Sequence, residues 1–237
     1  MKEKAERKII IDFYMKNTFF FIAFLLTNCC FAQNANLAIK PVFGDKLITE
    51  DTWLVSKNGD SIQLENVRFY LSTIKFQMTD NTIINNTEKA HLIDIFDAQT
   101  LTIPFKNIDF TKVKSLRFNL GIDSLTNVSG AMGGDLDPQK GMYWAWQSGY
   151  INLKIEGISP KLQTRKNRFL YHLGGYLPPF YAMRMVELLV NKTNFVLKVD
   201  VSKFFNNINV TTQKSIMSPS KDALQLADFG VQMFSIE

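Results

Sequence analysis

Apolar and polar residues alternate with a period of two over several short stretches of the chain. The clearest run is Val67 to Gln77 (Val-Arg-Phe-Tyr-Leu-Ser-Thr-Ile-Lys-Phe-Gln), rich in the β-branched and aromatic residues that fill a pleated, half-buried surface. His91–Phe96, Ser115–Leu120, Tyr150–Glu156, Phe169–Leu173 and Asn194–Val201 read the same way. Asn58-Gly59-Asp60 and Thr79-Asp80-Asn81 punctuate them as turns. Leu37 and Ile39 alternate with Ala38 and Lys40, so Asn36–Phe43 is a further extended segment, and Pro41 places it on a sheet edge. Helical signals are sparse. Ser218-Pro219-Ser220 offers a start for a helix over Asp222–Met233, and Pro138–Gly141 has room for one turn. The fold class predicted is all-β, a sandwich of antiparallel strands with short helical turns.

The N-terminus follows a different pattern. Lys16 precedes an apolar run from Phe19 to Leu26, and small Ala32 stands before polar Gln33. A basic start, a short apolar core and a small residue describe a secretory signal, cut after Ala32. The run is far below the ~20 residues of a membrane span. Residues 1–14 precede a better translation start at Met15. Leu26-Thr27-Asn28-Cys29 also resembles a lipoprotein box, which would anchor the chain through Cys29. The domain organisation read from the sequence is a signal over 1–32 and a single domain over 33–237, in a periplasmic or secreted protein.

Cleavage there removes both cysteines, so the mature chain rests on its core, and a metal site in it has no thiolate. Residues 1–32 hold five Lys/Arg and three Asp/Glu, which leaves 22 and 19 in the remainder, a net charge of +3 without a basic run. Nothing there matches the backbone of a nucleic acid. Phosphate-cradling glycine loops and the nucleophile-elbow pattern are missing from the sequence, and no enzymatic machinery is expected.

The most unusual segment is Gly133 to Tyr150. Trp144 and Trp146 stand two apart, which in a strand puts both rings on one face. Such a pair usually serves as core or rim packing. Asp135 and Asp137 follow two glycines but lack the acidic spacing of a calcium loop. The two histidines are His91 and His172. Without thiolates, imidazole and thioether are the donors left for a soft or borderline metal, and that set favours copper over calcium or magnesium. Spacing alone does not tie the two histidines together. Most of the nine methionines suit plastic core positions.

The blocks Gly141-Met142-Tyr143-Trp144-Ala145-Trp146-Gln147-Ser148-Gly149-Tyr150 and Lys154-Ile155-Glu156-Gly157 resemble the signature of MbnP-like proteins. Val67–Ser72, His91–Asp94, Tyr171–Gly175 and Ser215–Pro219 keep the family order. The resemblance implies an exported copper-binding β-sandwich in which one tryptophan is oxidised to kynurenine by a di-haem cytochrome of the MbnH type. Carried over, Trp144 or Trp146 is the modified residue. His172 and then His91 are the imidazole ligands, and Met142 and Met217 are further ligands or neighbours. Asp94, Asp135 and Asp137 are candidates to hold the second nitrogen of each imidazole. A different class of function, a glycan- or protein-binding surface module, would use the paired indoles as an exposed stacking platform.

Overall fold

One long strand organises the chain. The computed structural model describes residues 34–86, 88 and 90–237, so the signal and the Cys29 anchor lie outside the described residues. The strands in chain order are β1 (Asn34–Phe43), β2 (Lys46–Leu47), β3 (Trp53–Val55), β4 (Ser61–Met78), β5 (Ile83–Asn85), β6 (Ala90–Asp94), β7 (Thr102–Lys106), β8 (Val113–Leu120) and β9 (Tyr143–Trp144). They continue as β10 (Gly149–Ile158), β11 (Arg168–Gly174), β12 (Tyr176–Leu177), β13 (Phe180–Tyr181), β14 (Arg184–Leu189), β15 (Leu197–Asp200), β16 (Ser215–Ile216) and β17 (Phe234–Ile236). Among the described residues three short α-helices accompany them: α1 (Ser124–Val128), α2 (Ser202–Phe205) and α3 (Lys221–Val231). The fold is mostly β, as predicted.

β4 pairs β10 through residues 63–69 and β8 through residues 71–78, one after the other along one edge. Along its other edge come β3, β6 and β5. β11 extends the sheet beyond β10, and β14 extends it beyond β8. The second sheet is β17-β15-β1-β2, with β7 also on β1. Aromatic pairs join the two layers. The Phe69 ring meets Phe234 edge-on at 5.5 Å, Phe118 meets the same ring at 5.1 Å, and Phe76 meets Phe105 at 4.9 Å. Each such pair adds about 0.5–1.5 kcal/mol beyond its buried area.

Two sequence expectations change here. Most pairs are antiparallel, but β1 runs parallel to β15 and β16 parallel to β11. Both join segments far apart in sequence, which turn chemistry cannot register. β1 also has neighbours on both sides, so Pro41 is not on an edge. A residue's N–H points to one side only, so a paired strand accepts a proline at a position where no bond is donated.

The middle of β4 is buried on both faces: Phe69, Tyr70, Leu71 and Ser72 are all shielded. Phe69 and Leu71 belong to the main core between the sheets. Tyr70 faces the other way, into a smaller cluster with Leu92, Ile122, Leu136, Met142, Trp144 and Tyr150. The segment from α1 to β9 therefore folds back over the outer face of the larger sheet, and that cover positions the candidate site.

Candidate metal centre on the outer sheet face

A single row crosses four strands. Asp94 on β6 is opposite Arg68 on β4, Arg68 is opposite Lys154 on β10, and Lys154 is opposite His172 on β11. Residues directly opposite one another share a face. The row therefore lies on the outer face, with Tyr70 and Leu92. The intervening residues Ile93, Phe69, Leu153 and Leu173 enter the main core.

This parity separates the two histidines. His172 is on the outer face. His91, opposite Leu71, has the parity of Ile93 and faces the other way. β4 and β10 also stand between their strands, a separation of roughly 14 Å at ordinary strand spacing. The structure does not bring His91 and His172 together. His91 Nε2 instead lies 2.5 Å from the Asn86 side-chain amide. Burial pushes its pKa down, against the opposing pull of the Asp135 and Glu88 carboxylates.

His172 has company of another kind. Its Nε2 is 2.6 Å from Glu156 Oε1. Glu156 is also approached by Lys154 Nζ at 3.7 Å and by Arg168 Nη2 at 3.5 Å. The hydrogen bond from His172 holds the Glu156 carboxyl below the usual range, although burial opposes it. Among the described residues, His172 Nδ1 makes no hydrogen bond.

The parallel strand leads to Met217. β16 pairs Ser215 with Leu170 and Ile216 with Tyr171. Ile216 packs on the main core. Met217 follows the end of β16 directly and is 43% exposed.

The indoles complete the surface. A Cβ built on Gly174, two residues along β11 from His172, would stand 2.7 Å from Trp144 Cζ3 and 3.0 Å from Cη2. The Trp144 ring thus rests on the bare backbone of β11, an approach that glycine permits. Trp144 is 6% exposed and Trp146 is 67% exposed. They do not share a strand face as predicted. β9 ends at Trp144, which pairs with Gly149, and the four residues between form a turn in which Ser148 takes φ 54°. The turn still brings the rings together, with centroids 5.6 Å apart and planes tilted by 42°.

The remaining candidates have other tasks. The Met142 side chain is fully buried in the outer cluster. Asp94 pairs with Arg68 Nε at 2.7 Å. Asp135 pairs with Lys140 Nζ at 2.6 Å and accepts from Leu92 N at 3.1 Å. Asp137 caps a turn by accepting from Gln139 N at 2.8 Å. None of the three holds an imidazole; Glu156 does. The sequence carries a signal for Glu156, since alternation along β10 sets it with Lys154, but the neighbouring strand was not legible. Among the described residues no group of three or more His, Cys, Asp or Glu gathers as for a divalent ion.

Fold and site together describe a β-sandwich whose outer face carries one buried, carboxylate-held imidazole and a pair of indoles, one buried and one exposed. The MbnP family model matches residues 32–218, and the chain belongs to that family. The structure of MbnP from Methylosinus trichosporium is similar, with a TM-score of 0.66 and 14% identity, over 86% of this chain and 98% of that one. At that identity the likeness speaks for the fold. No curated protein matches the sequence. Membership associates the chain with methanobactin and copper.

Proposed function

We propose that the protein is an exported, non-enzymatic copper-binding protein that takes the metal at His172 and Met217, beside Trp144. The observation that carries this reading is the register of β11 with β16. It brings the segment that carries Met217 alongside the strand that carries His172, whose Nδ1 makes no hydrogen bond among the described residues, on the face where the Trp144 ring rests. A single imidazole with a thioether is a soft set, suited to Cu(I), and it lacks the carboxylates that calcium or magnesium require. Family membership supports the metal independently.

Oxidation to kynurenine by a di-haem cytochrome of the MbnH type belongs to the same reading. Trp144 is the position for it, because its ring packs on Gly174, two residues along β11 from His172, whereas Trp146 is turned to solvent. A kynurenine there would add an aryl amine to the donors. Mass spectrometry of protein from its native source would show a small mass gain on the peptide carrying Trp144.

The test is competition for Cu(I) against a chromophoric chelator. Losing a group that merely supports a ligand costs about 10–100-fold in affinity, so loss of the ligand itself in His172→Ala costs at least that. Met217→Leu weakens binding and His91→Ala leaves it unchanged. Wild-type affinity in His172→Ala, or lost binding in His91→Ala, refutes the assignment. The stacking-platform alternative requires two exposed indoles, and Trp144 is buried.

A further inference from the structure

We infer that Glu156 is the positioning residue of the His172 imidazole: it fixes the ring with the proton on Nε2 and so reserves Nδ1 as the donor atom. The inference rests on the copper reading for its purpose, but its physical basis is in the metal-free protein.

A carboxylate can only accept a hydrogen bond. At 2.6 Å from Glu156 Oε1, His172 Nε2 must therefore carry the proton. A neutral imidazole has one N–H, so Nδ1 keeps its lone pair. No described group competes for that lone pair. A carboxylate on the opposite ring nitrogen also makes the free nitrogen a stronger donor, the arrangement that orients imidazole ligands at metal centres.

Glu156 is itself held, and this separates a positioning device from a chance contact. It is two pairs removed from His172 on the adjacent strand, opposite Leu170 while Lys154 is opposite His172. Diagonal neighbours of that kind are within reach of long side chains. Its second oxygen faces Arg168 Nη2 at 3.5 Å, and that guanidinium is anchored in turn by Glu65 at 2.9 Å. Lys154 Nζ, 3.7 Å from the first oxygen, also donates to Gly141 O at 3.2 Å. Two cations thus stabilise a carboxylate whose side chain is only 14% exposed, and the Lys154 contact ties it to the segment that carries Trp144.

The experiment is Glu156→Gln, read two ways. Long-range proton–nitrogen correlation NMR of the metal-free protein, at a pH where the ring is neutral, reports the tautomer of His172. Wild type is expected as the single Nε2–H form. The glutamine variant, whose amide can accept or donate, is expected as a mixture. Cu(I) affinity by chelator competition should fall about 10–100-fold. Glu65→Gln, which meets Arg168 at Nη2 but has no contact with His172, should leave the tautomer unchanged. A wild-type ring protonated at Nδ1 overturns the inference, and it needs no variant to fold. So does a Glu156→Gln protein equal to wild type in tautomer and affinity. If wild type binds no Cu(I) while the tautomer shifts as expected, the copper reading fails and the positioning of the ring stands.

Discussion

Replacing Gly174 with alanine tests the seat of the Trp144 ring without touching a donor atom. The new methyl would stand 2.7 Å from Trp144 Cζ3, 3.0 Å from Cη2 and 2.7 Å from the Tyr150 carbonyl oxygen. Carbon atoms prefer about 3.5–4.0 Å, so relief requires about 1 Å of movement on each side. The Tyr150 carbonyl is backbone on β10, and the phenol of the same residue is fixed by bonds to Leu136 O at 3.0 Å and from Met132 N at 3.0 Å. The indole must therefore yield. Overpacking of this kind costs about 1–3 kcal/mol. A chain of this size loses about 2–4 °C per kcal/mol, so the midpoint should fall by about 2–12 °C. Gly133→Ala is the control: a Cβ there meets nothing within 4 Å, and its φ of −94° suits any residue. It should change stability by no more than about 0.5 kcal/mol. Thermal unfolding by circular dichroism gives the midpoints, and the near-ultraviolet signal reports the indoles. Coincident melts for the two variants, with an unchanged near-ultraviolet spectrum, would refute the placement of Trp144 on β11.

Two further outcomes follow from local structure. Ser220 caps α3 by accepting from Ala223 N at 3.1 Å, so Ser220→Ala should cost about 1 kcal/mol in chemical denaturation. Burial holds the folded His91 pKa below the ordinary 6.5, so below that pH the unfolded chain binds the proton first. Stability should be constant above pH 6.5, decline as the pH falls through the folded value, and level off below it. His91→Gln should remove that decline from a series of denaturant midpoints, and an unchanged profile would refute the assignment.

The sequence was most legible where local pattern decides the outcome. The run 67–77 lies wholly within β4 because alternation and β-branched residues agree there. The helix expected over Asp222–Met233 is α3, Lys221–Val231, with the start signalled by Ser220. The single turn expected at Pro138 is a 3-10 turn over Pro138–Lys140, closed by Gly141 at φ 73°. Legibility failed where a few residues pair with a distant segment. The two-residue strands β12, β13 and β16 have no periodicity to detect. The strand expected over Asn194–Val201 is shorter, because Val201 turns helical at φ −62° and ψ −22° to open α2. β16 matters most, since Met217 follows it directly, and only its partner β11 defines it.

The fate of the histidines shows why a set of site residues is harder to read than a set of strands. Alternation states which residues of one strand share a face, but not which face of the next strand matches it. That information lies in the register, and a slip of one residue reverses it. Moving β6 by one position against β4 would turn His91 to the outer face and drive Ala90, Leu92 and Asp94 inward. The observed register is fixed by what it buries. Leu92 enters the outer cluster, Ile93 enters the main core, and the Asp94 carboxylate meets Arg68. A slip would drive the Asp94 charge into the core without Arg68, at a cost of several kcal/mol. The packing of β6 therefore excludes His91 from the His172 face. That leaves the imidazole on β11 with the Glu156 carboxylate on the strand beside it as its hydrogen-bond partner.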